Sequence, residues 1–197
     1  MPYLFHDEIL DYKTNSSGPF CQRSSRELDL YDAGSWFSNQ YIGENILRLS
    51  SFLELVIKYN LGVNLEIKPS EDFEEETATV VCDFINQHWP SNSPILISSF
   101  SNEVMSIVAS KLPKTPKGYL TEKVDENWEK HILDTDYASI HLNHKTITNS
   151  KVELIKAKGY KILCYTVNEP LIANKLFELG IDSVFTDYPQ RISQRLI

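Results

Sequence analysis

Residues 63–100 read VNLEIKPSEDFEEETATVVCDFINQHWPSNSPILISSF. The apolar residues within 63–67 predict a buried strand, and a second apolar run at 95–97 predicts another. Between them lies a stripe with the spacing of a helix face, formed by Phe73, Thr77, Val80, Val81, Phe84 and Ile85. A strand, a helix and a second strand in this order form a βαβ unit, which implies a parallel sheet.

The same unit repeats along the chain. Residues 49–56 have helical spacing before the first strand, and Gly62 is the predicted end of this helix. Further helices are predicted around Val108 and Trp128, around Ile155 with its end at Gly159, and after Asn168 with its end at Gly180. Strands are predicted near 119–120, 137–142, 160–167 and 183–186, and a last helix at 189–197. Six strands, each followed by a helix, favour a doubly wound sheet or a closed barrel.

The length of the chain bears on this choice. A (β/α) barrel of the TIM type has eight units and typically about 250 residues, whereas this chain has 197. We therefore predict an α/β fold of the TIM-barrel type that is incomplete at the N-terminus, with about six of eight βα units. The domain prediction is a single domain over 1–197, in which 1–43 form an insertion subdomain and 44–197 the repeats. Residues 11–34 are rich in Ser, Asn, Asp and Gly and are predicted to be an extended surface excursion rather than core.

Composition excludes several function classes. Nineteen basic and 27 acidic residues give a net charge of −8, which disfavours a nucleic-acid surface because phosphate binding needs clustered Lys and Arg. There is no apolar run of the roughly 20 residues that a membrane span needs, and no basic segment at the start that would indicate a signal peptide. A cytoplasmic location is therefore expected. Three widely spaced cysteines predict reduced thiols.

Polar residues follow the predicted strands, where parallel α/β folds gather their chemistry. Glu66 and Lys68 are two residues apart on a strand, so both side chains should point to one side. A carboxylate beside an ammonium suits a divalent metal with a phosphate bridging the metal and the lysine. A structural ion pair at the strand end is the alternative interpretation. The other polar residues at strand ends are Ser98, Ser99, Ser101, Thr121, Glu122, His141, Asn143, His144, Thr166, Asn168, Thr186 and Asp187.

The histidines are weak signals by themselves. His141 and His144 have a spacing that could hold a metal, but no cysteine or carboxylate lies near them in sequence, and we interpret them as loop residues. The triplet of His6, Asp7 and Glu8 is equally typical of a solvated strand end. The sequence has no glycine-rich phosphate loop and no nucleophile elbow.

Several short segments follow one another along the chain. They are FHDEILD at 5–11 with Thr14, Asn15 and Gly18, DAGSWF at 32–37, LEIK at 65–68, ISSF at 97–100, YTVN at 165–168 and FTDYP at 185–189. Taken in order, these segments resemble the glycerophosphodiester phosphodiesterase family. The resemblance covers essentially the whole chain, and the ordered set is more specific than any one motif.

The resemblance implies a (β/α)₈ barrel with a small insertion after its second strand. It also implies metal-assisted hydrolysis of a glycerophosphodiester, a small-molecule substrate, to glycerol 3-phosphate and an alcohol. By position, His6 resembles the general acid that protonates the leaving alkoxide, and Glu66 a ligand of Mg²⁺ or Ca²⁺. Lys68 resembles a phosphate-binding residue, and Phe100 and Tyr165 would lie near the glycerol pocket.

Departures from the family pattern carry expectations of their own. The family begins with a strand carrying His-Arg, a Glu-Asn-Thr segment and a strand carrying Glu-x-Asp, and these have no counterpart in this sequence. They would include a second catalytic histidine, a phosphate-binding arginine and two metal-ligand carboxylates. Smaller departures are Leu47 for proline, Tyr12 for arginine and Tyr165 for tryptophan.

These departures predict impaired turnover. The alternative is a catalytically inactive protein that binds a phosphate ester or a partner. Strand edges left without neighbours also predict self-association that covers residues 63–67 and 183–186.

Overall fold

The computed structural model describes residues 1–125, 128–132 and 135–193. They form two compact units. The first unit consists of residues 1–63 and 67–94, and the second of residues 64–66 and the chain from residue 95 onward.

The strands and helices alternate after a short N-terminal region. The strands are β1 (Tyr3–Leu4), β2 (Leu47–Arg48), β3 (Val63–Glu66), β4 (Ile95–Ser99), β5 (Lys117–Thr121), β6 (Ser139–Asn143), β7 (Lys161–Tyr165) and β8 (Ser183–Val184). The α-helices are α1 (Ser25–Leu28), α2 (Leu49–Tyr59), α3 (Glu74–His88), α4 (Asn102–Lys111), α5 (Trp128–His131), α6 (Asn149–Ala157), α7 (Pro170–Glu178) and α8 (Pro189–Ser193). Short 3₁₀ helices occupy Phe20–Gln22, Asn39–Tyr41 and His144–Thr146.

The N-terminal region of the first unit has a hydrophobic cluster of its own. Leu10, Leu28 and Ile46 are buried together, and Tyr3, Phe5, Phe20, Tyr31 and Ala33 pack against them. Strands β1 and β2 pair antiparallel beside this cluster. The prediction that residues 11–34 form a surface excursion without core is therefore wrong for Leu28 and its neighbours. Isolated apolar residues in a polar stretch have no periodicity, so only folding shows which of them meet.

Two details of the helices of the first unit differ from expectation. Helix α2 ends at Tyr59 because Asn60 adopts the left-handed conformation with φ of 50°, rather than at the predicted Gly62. In α3 the buried residues are Ala78, Val81, Cys82 and Ile85. Phe73 and Val80, which were predicted on the buried stripe, are exposed. The buried face of α3 therefore includes the small residues Ala78 and Cys82, and it is rotated by about one residue from the predicted face.

A six-stranded sheet has the order β3-β4-β5-β6-β7-β8. The pairs from β4 to β8 are all parallel. Each strand lies beside the next one in the chain without a reversal, which is the order of a (β/α) barrel and excludes the doubly wound alternative. The predicted fold class is confirmed.

Helix ends in the second unit follow the predicted signals. Gly159 and Gly180 have φ of 88° and 94° just beyond α6 and α7, and Pro170 opens α7. The strands predicted at 160–167 and 183–186 are shorter, at Lys161–Tyr165 and Ser183–Val184. Helix α8 is described to Ser193, so the last residues of the helix predicted at 189–197 lie outside the described residues. None of the described helices is long and apolar enough to cross a bilayer.

Candidate functional site

The carboxyl ends of the strands in the second unit bring together an aromatic pair and two carboxylates. Glu66 ends β3, Phe100 follows β4, Glu122 follows β5 and Tyr165 ends β7. Parallel strands end at the same edge of a sheet, which explains how residues about 100 positions apart in sequence come together.

Tyr165 is at the centre of this group. Its hydroxyl donates a hydrogen bond to the carbonyl oxygen of Thr121 at 2.8 Å, which fixes the ring. Burial raises the pKa of Tyr165 above its usual value, and the negative charges of Glu122 and Glu66 raise it further. Tyr165 is therefore a neutral, oriented aromatic side chain at neutral pH.

Phe100 lies beside Tyr165. Its ring meets that of Tyr165 edge to face, with the centroids 6.1 Å apart and the planes at 85°. Phe100 is half exposed. An oriented aromatic surface that solvent reaches suits the carbon face of a small polyol such as glycerol. The family resemblance implies that Phe100 and Tyr165 lie near a glycerol pocket, and in the structure the two rings lie side by side.

The two carboxylates have different surroundings. Glu66 is exposed at the end of β3. Glu122, to which the sequence assigned no role, accepts a hydrogen bond from Nδ2 of Asn143 at 3.2 Å. The hydroxyl of Thr146 donates to the carbonyl oxygen of Glu122 at 3.1 Å, which holds that backbone in place. Only the position of Glu122 after a strand indicated it, since no motif contains it.

The residues present do not form a metal site by themselves. No group of three or more His, Cys, Asp or Glu side chains in the described part of the chain is arranged to hold a metal ion. Mg²⁺ and Ca²⁺ take six or more oxygen ligands, and Glu66 supplies a single carboxylate. In this respect the described residues do not fit the divalent metal that the resemblance implies.

His6 and Lys68 belong to the first unit. The side chain of His6 is 81% exposed, and its Nδ1 lies 2.8 Å from Oδ1 of Asp7. This contact orients the imidazole and leaves Nε2 facing away from Asp7. Lys68 is exposed, between the half-buried Pro69 and the buried Ile67.

The polar residues after β7 and β8 connect the ends of these two strands by hydrogen bonds. Asn168 donates from Nδ2 to Asp187 at 2.8 Å. Its Oδ1 accepts hydrogen bonds from the backbone N–H of Asp187 at 2.9 Å and from the hydroxyl of Thr186 at 3.2 Å. The YTVN and FTDYP segments thus join two neighbouring strand ends.

His141 lies inside β6 and is fully buried, so its interpretation as a loop residue is wrong. Its Nε2 lies 2.9 Å from the hydroxyl of Ser139, and its Nδ1 has no hydrogen-bond partner among the described residues. Burial lowers the pKa of His141 to about 4. His144 begins the 3₁₀ helix that follows β6. The two histidines therefore lie in different environments and do not form a metal-binding pair.

Burial of His141 predicts that stability falls in mild acid. The unfolded chain binds a proton near the ordinary pKa of 6.5, whereas the folded state binds one only near pH 4. The contribution of the neutral, buried His141 to folding stability is therefore fully present above pH 6.5. It is lost as the pH falls from 6.5 towards 4. Between about pH 7 and about pH 4.5 the free energy of unfolding should fall by about 2 kcal/mol because of this residue.

Denaturant unfolding of the wild type and of His141→Gln at both pH values measures this effect. The variant should lose most of the pH dependence in this window, and His144→Gln, which removes a half-buried imidazole, should lose little. An unchanged pH dependence in His141→Gln would contradict the prediction.

Comparison with known proteins adds to this geometry. Residues 1–191 match the glycerophosphoryl diester phosphodiesterase family. The structure of an Oleispira antarctica phosphodiesterase in complex with the product sn-glycerol-3-phosphate is 35% identical, with a TM-score of 0.96 over 99% of this chain and 79% of that one. A glycerophosphodiester phosphodiesterase of Caldanaerobacter subterraneus subsp. tengcongensis is 26% identical over 96% of this chain and 77% of that protein. A glycerophosphodiester phosphodiesterase from Agrobacterium tumefaciens, at 22% identity and a TM-score of 0.75 over 98% of this chain and 80% of that one, shares the fold.

Proposed function

The chain belongs to the glycerophosphoryl diester phosphodiesterase family, and on this basis we propose that it hydrolyses glycerophosphodiesters to glycerol 3-phosphate and an alcohol. The observation that carries the proposal is the grouping of Glu66, Phe100 and Tyr165 at the carboxyl ends of three strands. The product-bound Oleispira antarctica phosphodiesterase, at 35% identity, supports glycerol 3-phosphate as the product.

The proposed reaction depends on a divalent metal, Mg²⁺ or Ca²⁺, which would neutralise the phosphoryl oxygens when bound. Glu66 would be one of its ligands, because its carboxylate is exposed at the end of β3 and carries the charge that hard cations prefer. Water, the substrate phosphate or groups outside the described residues would supply the remaining ligands. Turnover by this chain alone is therefore proposed to be impaired.

The remaining proposed roles are substrate binding and proton transfer. Phe100 and Tyr165 would hold the glycerol carbons, and Lys68 would bind a phosphate oxygen through its ammonium. His6, with Nδ1 beside Asp7, would give the proton on Nε2 to the departing alcohol oxygen. The Asp7 carboxylate accepts a hydrogen bond from Nδ1–H, which would orient the imidazole for this transfer.

Hydrolysis of glycerophosphocholine and glycerophosphoethanolamine, with Mg²⁺, Ca²⁺ or EDTA, tests the proposal. We expect release of glycerol 3-phosphate that requires metal and stops with EDTA. Release that continues in EDTA would contradict metal dependence. Absence of release from protein shown to be folded would contradict the activity and would favour a protein that only binds a phosphate ester or a partner.

Self-association is a separate proposal. In the described sheet, β3 and β8 each have one neighbouring strand, so each has an edge with unpaired backbone groups. Such edges pair readily with another chain. Light scattering of the purified protein should report a dimer or larger species, and a stable monomer at all concentrations would contradict the proposal.

A further inference from the structure

The loop at residues 33–43 of the first unit carries large apolar side chains into solvent. Trp36, Phe37, Tyr41 and Ile42 are 48%, 69%, 45% and 65% exposed. The ring of Phe37 lies 5.7 Å from that of Trp36 and 5.7 Å from that of Tyr41, so the three rings are contiguous. We refer to these four residues as the aromatic cluster.

The loop is held rigidly in this form. The carboxylate of Asp32 accepts hydrogen bonds from the backbone N–H groups of Gly34 at 2.9 Å and Ser35 at 2.8 Å, at the start of the loop. Its other oxygen accepts from the N–H of Gly43 at 2.7 Å, at the end of the loop. These three bonds lower the pKa of Asp32 to about 2, so they persist at all physiological pH values. The cluster is therefore exposed in a fixed arrangement.

The size of the cluster argues against a stable protein interface. An aromatic side chain presents about 150–250 Å², so at these exposures the four side chains offer roughly 400 Å². A stable protein–protein interface takes about 800 Å² from each partner. A patch of this size is still large for the surface of a monomer, and such patches are often functional.

The chemistry of the loop favours the headgroup region of a lipid layer. Residues 33–43 contain no charged residue, although charged residues make up 23% of the chain. Tryptophan and tyrosine are the residues enriched where membrane and water meet. One cation accompanies the cluster: Nζ of Lys13 lies 3.5 Å from the centre of the Trp36 ring. A lysine that covers an aromatic ring in this way can place its ammonium at the level of lipid phosphates.

We propose that the aromatic cluster docks the protein on a zwitterionic lipid surface, with Trp36, Phe37, Tyr41 and Ile42 in the interface and Lys13 at the phosphates. The net charge of −8 disfavours anionic lipid, so phosphatidylcholine is the fitting surface. The proposal goes beyond hydrolysis and needs no turnover, so it can fail or hold whatever the enzymatic assay shows.

Co-sedimentation with phosphatidylcholine vesicles tests the proposal. The wild type should sediment with the vesicles, and about 1 M salt should weaken this little because the contact is mainly apolar. Phe37→Ser/Ile42→Ser should lower the bound fraction at least about tenfold. The control Leu171→Ser/Ile172→Ser, which removes two exposed apolar residues from α7 in the second unit, should bind like the wild type.

Fluorescence locates the contact. Of the three tryptophans, Trp36 is 48% exposed and Trp128 is 2% exposed. Trp89 is half-buried, and its Nε1 donates to the carbonyl oxygen of Ser93. Brominated acyl chains should therefore quench mainly Trp36. This quenching should disappear in Trp36→Phe while sedimentation persists. Absence of sedimentation by folded protein, or equal loss in the α7 control, would overturn the proposal. So would lipid-free association that Phe37→Ser/Ile42→Ser abolishes, because the cluster would then be an interface between copies of the chain.

Discussion

Glu66→Gln is expected to lower the rate of glycerophosphocholine hydrolysis at least about 100-fold. The amide keeps the size of the side chain but removes the charge that a hard cation and the phosphoryl oxygens require. A 100-fold loss corresponds to about 2.7 kcal/mol of transition-state stabilisation. Release of glycerol 3-phosphate per mole of folded protein, at saturating Mg²⁺ or Ca²⁺, is the measurement.

Glu122→Gln is the matched control. Both carboxylates act on the pKa of Tyr165, but Glu122 is engaged by Asn143. We expect the control to change the rate by no more than a few-fold. Equal losses in both variants would mean that the summed negative charge matters, and that Glu66 has no role of its own as a ligand.

Gly118→Ala is expected to lower the free energy of unfolding by about 3 kcal/mol. A Cβ atom at Gly118 in β5 would lie 2.4 Å from both Cε1 and Nε2 of His141. His141 is fully buried in β6, and its ring lies beside that of Phe185, with the centroids 5.3 Å apart. The imidazole therefore cannot move without disturbing the packing of the sheet.

Three further variants isolate the clash: Gly62→Ala, His141→Ala and the double variant Gly118→Ala/His141→Ala. Gly62→Ala should change stability by less than about 1 kcal/mol, since the nearest atom to its Cβ lies 3.8 Å away and its φ is not positive. His141→Ala in the Gly118→Ala background should cost much less than in the wild type, because it removes the clashing ring. Urea unfolding of the wild type, Gly118→Ala, His141→Ala and the double variant measures the coupling, and strictly additive losses would contradict the steric explanation.

The fold could be predicted from local patterns. A short apolar run is enough to predict a buried strand, and apolar residues three and four positions apart are enough to predict a helix. Six such units in sequence, with Gly159 and Gly180 ending two of the helices, were sufficient to predict a parallel sheet. Boundaries were less accurate, as at Asn60, because an asparagine and a glycine can both end a helix.

The candidate site was predictable only where residues lie within one motif. Tyr165 and Phe100 became candidates because their segments resemble a family, and Glu66 because it ends a predicted strand. Glu122 was not assigned a role, because its importance comes from Tyr165, which is 43 positions away in sequence and belongs to another strand.

By itself, the sequence determined the βα repeat, its order and the family to which the chain belongs, since these follow from periodicity and from residues close together along the chain. Only the tertiary structure decided that His141 is a buried residue packed on Gly118. It also decided that Leu10, Leu28 and Ile46 form a hydrophobic cluster and that the aromatic cluster is exposed. Burial depends on which distant segments come together. The local sequence around a side chain is the same whether or not a distant segment covers that side chain.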